Sequence, residues 1–117
     1  MSRTIHERIA DILEAIERCQ RFVFALESEN LDYVNMAEDA IERNLQTIGE
    51  AAKHLPADLT EAHPEIPWAQ IRGFRNILVH QYFGVDSKIV REVVAAHLPP
   101  LASALNRYPS VLEDPQN

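Results

Sequence analysis

The sequence is poor in the residues that build covalent frameworks and membrane anchors. Its 117 residues include one cysteine, Cys19, and three glycines. One cysteine excludes an intrachain disulfide framework and a zinc site built on several cysteines. No uninterrupted apolar run approaches the roughly 20 residues that a membrane span requires. The first residues also lack the apolar region of a signal peptide. We therefore expect a cytoplasmic protein with no membrane association.

Positive charge is also scarce. Eleven Lys and Arg residues stand against 18 Asp and Glu, for a net charge of −7 and a pI near 5.1. This balance argues against a protein that coats nucleic acid with its whole surface. Residues 69–91 depart from it with a net charge of +3, from four cations and one carboxylate: Arg72, Arg75, Lys88, Arg91 and Asp86. This positive segment leaves room for a local basic pocket.

What the sequence does contain is helical periodicity. Hydrophobic residues make up 46% of the chain, enough for a packed core. A first helix is predicted from about Thr4 to Leu26, because apolar residues recur at alternating steps of four and three. This stripe consists of Ile5, Ile9, Ile12, Ile16, Cys19, Val23 and Leu26. Alternation typical of strands is missing, so the fold class is all-α.

Capping residues and prolines predict where the other helices begin. Asn35 with Glu38 resembles a capping box and predicts a second helix over about 36–55. Pro56 could open a short helical turn within the connection that follows. Pro67 suits the first position of a third helix, expected over about 68–81. Asp86 or Ser87 would cap a fourth.

A pair of prolines interrupts the last predicted helix. Pro99 and Pro100 lack N–H donors, so they must kink or restart it, and a short helix over about 101–107 follows. The chain is thus predicted to form one domain over 1–117, an up-and-down four-helix bundle with a kinked or split last helix. The tail from about 109 is expected to be frayed. The apolar face of the first helix is wide enough to meet a second subunit.

The third predicted helix carries polar groups among apolar neighbours, in the stretch RNILVHQYFGVD. Arg72, Asn76 and His80 share one helical stripe. Arg75 and Tyr82, seven residues apart, share a neighbouring one. Arg75 and His80 lie about 140° apart around the axis, a gap that a long arginine side chain can lean across. The five groups can therefore converge on one cleft.

Such a set of groups suits a phosphodiester substrate. An arginine fork binds phosphate oxygens and the charge that grows on them. A histidine can transfer a proton near neutral pH. RNA supplies its own nucleophile, the 2′-hydroxyl, so cleavage needs no metal and no cofactor. The short pattern alone is equally compatible with a buried structural histidine and a packing tyrosine.

A longer string of residues identifies a family. The segments AIERNLQTIGEAAKHLP, IPWAQIRGFRNILVHQYFGVD and IVREVVAAHLPPL resemble the HepT family of HEPN-domain proteins along nearly the whole chain. These are the RNase toxins of HepT–MntA toxin–antitoxin systems. The resemblance implies a HEPN-type helical bundle, a homodimer and metal-independent endoribonuclease activity.

The resemblance also implies roles for individual residues. The catalytic Arg and His of the R-x4-H motif correspond to Arg75 and His80, and both motifs of a dimer line one cleft. Asn76 and Arg72 are the expected supporting residues. Tyr82 corresponds to the tyrosine to which a partner nucleotidyltransferase, MntA-like, transfers AMP and thereby silences the RNase.

Two other interpretations fit the same residues. The chain could be a non-catalytic, nucleotide-binding or regulatory subunit of a nucleotidyltransferase, with the motif only presenting Tyr82. It could also be a structural helical dimer whose motif is vestigial. Neither the RNA target nor the existence of the cognate antitoxin follows from the sequence.

Overall fold

The structure is a computed structural model, and it describes residues 3–74 and 87–109. All regular elements within these residues are helical, which confirms the predicted all-α class. Helix α1 spans Ile5–Phe22 and continues into a 3₁₀ turn over Val23–Glu27. Helix α2 spans Leu31–Ala52 and packs along α1 as its main neighbour. These two helices form the hairpin on which the rest of the fold is built.

Shorter helices follow this hairpin. Helix α3 spans Ala57–Glu61 directly after Pro56, as predicted, and α4 spans Trp68–Arg72 directly after Pro67. Helix α4 packs on α2. The predicted third helix runs unbroken over about 68–81, but α4 ends at Arg72 with Gly73 as its C-cap. Residues 75–81 of that prediction, together with Asp86, lie outside the described residues.

The last helix is split, as the two prolines predict. Helix α5 spans Ser87–Glu92, a π-helical turn covers Val93–His97, and α6 spans Leu98–Asn106. The Leu98 N–H donates to the Val93 carbonyl, five residues back, as in a π-helix. Pro99 and Pro100 then lie in the first turn of α6, where N–H groups have no acceptor within the helix.

The predicted start of the second helix is wrong. The helix begins at Leu31, five residues before the predicted Met36, because Asn30 and not Asn35 is its cap. The Asn30 Oδ1 accepts a hydrogen bond from the Asp32 N–H at 2.9 Å. The helix ends at Ala52, before the predicted Leu55, although Leu55 still packs in the core.

The predicted stripe of α1 forms the inner wall of the core. Ile12, Ile16 and Cys19 are at most 2% exposed, and Ile5 and Val23 at its ends are partly buried. The largest fully buried side chains of the other helices come from α2, α4, α5 and α6: Ile41, Ile48, Ile71, Val90, Leu98, Leu101 and Leu105. α1 therefore uses its apolar face inside the subunit. The sequence had suggested that this face could also meet a second subunit, but the core of its own subunit covers it.

Candidate functional site

The structure describes the residues just before and just after the predicted site. Arg72 is the last residue of α4 and is half-buried. Among residues 3–74 and 87–109 it has no ion-pair partner. Arg75, Asn76, His80 and Tyr82 lie outside the described residues. Their convergence on one cleft remains a prediction.

Helix α4, which leads into the motif, is fixed at its start by Trp68. The Trp68 side chain is 8% exposed, and its Nε1–H donates to the His63 carbonyl at 3.0 Å. The Trp68 backbone N–H donates to the Ile66 carbonyl at 2.8 Å. These bonds hold the chain at the turn that precedes α4, so the helix starts from a defined place.

Buried side chains hold the chain in place near the end of α4 and just beyond it. Ile71 is fully buried and Phe74 is 3% exposed. Phe74 immediately precedes Arg75 in the sequence. The backbone therefore enters the motif from an anchored residue.

A glycine lets α4 lie close to α2. Gly49 is buried inside α2, and a Cβ atom built on it would lie 2.9 Å from the Ile71 carbonyl oxygen. No role was predicted for this residue. Its place in the sequence was nevertheless informative, because a glycine isolated inside a helical pattern costs stability and therefore indicates a packing reason.

Arg91 anchors the segment that follows the motif. Its Nη2 donates to the Leu26 carbonyl at 3.1 Å, at the end of the 3₁₀ turn, and Val90 beside it is 2% exposed. The Arg91 Nε is buried without a hydrogen-bond partner. This link between residues 65 positions apart was not predicted, since nothing local in the sequence marks it.

The described cations of the positive segment differ in their surroundings. Lys88 is exposed, while Arg72 and Arg91 are half-buried. The Arg91 Nη1 lies 3.9 Å from the Glu27 carboxylate, with both side chains substantially exposed, so this pair adds little stability. Glu27 nevertheless offsets part of the positive charge there.

Arg72 does not line either of two surface grooves that described residues form. The larger, about 460 Å³, is mostly apolar, and Phe24 on its rim is 75% exposed. Its lining residues are Gln20, Val23, Phe24, Glu27, Arg91, Val94, Ala95 and Pro99. The smaller, about 220 Å³, lies between α1 and α2 and contains Arg18 and Arg43. Glu14 accepts a hydrogen bond from Arg18 there at 2.6 Å.

Burial and neighbouring charges explain the shifted pKa values of side chains outside the motif. Burial raises the pKa of the Cys19 thiol to about 12, so this thiol stays protonated and unreactive. Burial, followed by the nearby Asp39 and Glu38 carboxylates, raises the pKa of Glu42. Within residues 3–74 and 87–109, no three His, Cys, Asp or Glu side chains gather closely enough to hold a metal ion. No described helix is long and apolar enough to cross a membrane.

Comparisons with known proteins agree on one family. A curated protein of Thermococcus cleftensis named "Probable ribonuclease HepT" is 37% identical over 101 residues, which cover 86% of this chain and 92% of that protein. A protein of Methanocaldococcus jannaschii, named as a candidate RNase, is 36% identical over 85% of this chain and 82% of its own length. No solved structure matches significantly. The profile of the family described as "Ribonuclease HepT-like" matches residues 12–108. The chain therefore belongs to the HepT-like ribonuclease family.

Proposed function

We propose that the chain is a metal-independent endoribonuclease, the toxin of a toxin–antitoxin system, which cleaves RNA in a cleft shared by two copies. One observation carries the proposal. The span that matches the ribonuclease family includes Arg75 and His80 at R-x4-H spacing, within the positive segment of an otherwise acidic chain. A phosphodiester is the substrate that these groups suit.

Each residue has a defined role in this mechanism. Arg75 binds the scissile phosphate and stabilises the negative charge that develops on its oxygens. His80 transfers a proton, and the second copy's His80 performs the complementary transfer, so that one motif supplies both base and acid. Asn76 orients these groups, and Arg72, the last residue of α4, adds positive charge three residues before Arg75 in the sequence.

The geometry of the described residues supports this assignment. The chain enters the motif from Phe74, which is 3% exposed, and Val90, which is 2% exposed, anchors it after the motif. Catalytic groups must be held in place by buried supports, because small displacements reduce the rate steeply. Within residues 3–74 and 87–109, no carboxylate pairs with Arg72, which is compatible with a role in binding phosphate.

Cleavage assays on purified variants test the proposal. Arg75→Ala should lower kcat by about 10²–10³-fold, the loss typical of a transition-state hydrogen-bond donor. His80→Ala should lower it by about 10²–10⁴-fold. Arg43→Ala and His54→Ala are matched controls on exposed positions, and they should cleave RNA as the wild type does. Circular dichroism should show that all four variants remain helical.

Two results would contradict the mechanism. One is undiminished cleavage by the Arg75 or His80 variant, and the other is loss of wild-type activity when EDTA is added. If the wild type leaves RNA intact but binds a nucleotidyltransferase, the chain is instead a non-catalytic regulatory subunit of that enzyme.

A further inference from the structure

Gly49 occupies a position where no other residue fits without movement of a backbone. An ideal Cβ on Gly49 would lie 2.9 Å from the Ile71 carbonyl oxygen and 3.6 Å from both the Arg72 carbonyl oxygen and the Phe74 Cβ. Carbon and oxygen atoms that are not bonded do not approach within 3 Å at this kind of contact without repulsion. The nearest of these atoms belongs to the backbone, so it cannot rotate away as a side chain can.

The helical conformation of α2 does not by itself require this glycine. Gly49 lies inside the 22-residue helix Leu31–Ala52, where alanine would be more stable. The stability that α2 loses by having glycine in place of alanine is offset only if the close approach of α4 is needed. Gly49 therefore permits the short distance between α2 and α4, and the backbone angles of α2 do not require it.

We propose that Gly49 is a positioning residue for the ribonucleolytic motif. It lets α4 sit against α2, and α4 carries Arg72 and leads through Phe74 into Arg75. A methyl group at Gly49 pushes α4 outward and moves these residues relative to the rest of the cleft. This inference rests on the proposed RNase function and names a residue outside the R-x4-H motif on which that function depends.

Trp68 makes the displacement measurable apart from activity. It is the only tryptophan in the chain, lies at the start of α4, is 8% exposed and donates to the His63 carbonyl. In Gly49→Ala, its fluorescence maximum should move to longer wavelength, because a displaced α4 exposes the indole. Helical circular dichroism should persist.

The decisive comparison is kinetic. Gly49→Ala should lower kcat roughly ten- to a hundredfold, with a smaller change in KM, because misplaced catalytic groups lose transition-state stabilisation. Ile16→Val, a core substitution in α1 at a residue 2% exposed, is the control for general loss of stability. It should leave both the Trp68 emission and the kcat of the folded protein unchanged. If Gly49→Ala does not fold, Ile71→Val removes a methyl group from a fully buried side chain of α4, which disturbs the packing of α4 by a different route and should have the same two effects.

Three outcomes overturn the proposal. A shifted Trp68 emission with wild-type kcat would show that the position of α4 does not matter for cleavage. An equal loss of kcat in Ile16→Val would show a merely structural role. Absence of cleavage by the wild type would overturn the RNase proposal itself, and this one with it, and the wild-type control separates that case from the others.

Discussion

From the family resemblance, we expect AMP transfer to Tyr82 to silence this RNase. At helical spacing, an AMP group on its phenol would bring bulk and negative charge about two turns from Arg75, on nearly the same face. Arg75 would then pair with the attached phosphate, and the RNA phosphate would be displaced. Tyr82→Phe removes the acceptor oxygen, so intact mass spectrometry after incubation with the partner nucleotidyltransferase and ATP should detect no added AMP.

Tyr33 provides the matched control for this experiment. It is 58% exposed at the start of α2, and so it is open to an enzyme that modifies any accessible phenol. Tyr33→Phe should still gain the mass of AMP. Tyr108 is less accessible, because its ring packs edge-on against His6 with centroids 5.4 Å apart. Added mass that persists on Tyr82→Phe, or that peptide mapping assigns to Tyr33 or Tyr108, would refute the switch.

Single residues of the core behave as their spacing predicts. Cys19 was assigned to the apolar stripe of the first helix, and it is fully buried. Its sulfur lies 3.9 Å from the Ile41 carbonyl oxygen on α2. Its position in the heptad pattern was enough to predict this burial, because an apolar stripe on one face of a helix packs against the core.

At the level of elements, α1 begins with a reciprocal capping box. The Thr4 hydroxyl accepts from the Glu7 N–H at 3.1 Å, and the Glu7 carboxylate accepts from the Thr4 N–H at 3.0 Å. The bond from the Thr4 backbone, followed by that from its side chain, lowers the pKa of Glu7. The ionised form is therefore favoured in the folded protein.

This capping box predicts part of the acid sensitivity of the fold. Because the pKa of Glu7 is lower in the folded state, its contribution is present above the unfolded value, about 4.3. It is lost as the pH falls through the folded value. Urea midpoints measured from pH 6 to pH 3 should fall less steeply for Glu7→Gln than for the wild type. Glu17→Gln, on an exposed position of α1, should retain the wild-type slope, and equal slopes for all three proteins would exclude the effect.

At the level of the whole molecule, the fold is elongated, with extents of 53 × 30 × 24 Å. The exposed large hydrophobic side chains among the described residues do not line α1. They lie between the end of α1 and the first turns of α2: Phe24, Leu31, Tyr33 and Met36. The apolar stripe of α1 gives no support to a dimer, and the expectation of one comes from the chemistry and the family resemblance.

We expect a homodimer because the proposed mechanism needs two motifs in one cleft. Light scattering coupled to gel filtration should give twice the 13.3 kDa mass of the chain at micromolar concentration. On dilution, the specific RNase activity should decrease together with the fraction of dimer, since a lone subunit lacks half of the cleft. A monomer with full activity would rule out the shared cleft.

The sequence by itself determined the helical class, the buried face of α1, the split of the last helix and the family. These follow from local periodicity, from the missing N–H groups of Pro99 and Pro100, and from the three longer segments that resemble the family. The same local reasoning wrongly predicted Asn35 as the cap of the second helix, because the local pattern does not distinguish it from Asn30. The roles of Arg75, Asn76, His80 and Tyr82 also come from the sequence alone, as they lie outside the described residues.

Only the tertiary structure decided what holds the two ends of the motif in place. The contact between Gly49 and the Ile71 carbonyl and the bond from Arg91 to the Leu26 carbonyl each join residues far apart in the chain. A helical pattern describes which face of a helix is buried, but it does not specify which backbone atom lies opposite a given residue. That depends on how the helices pack, and the packing is a property of the whole fold.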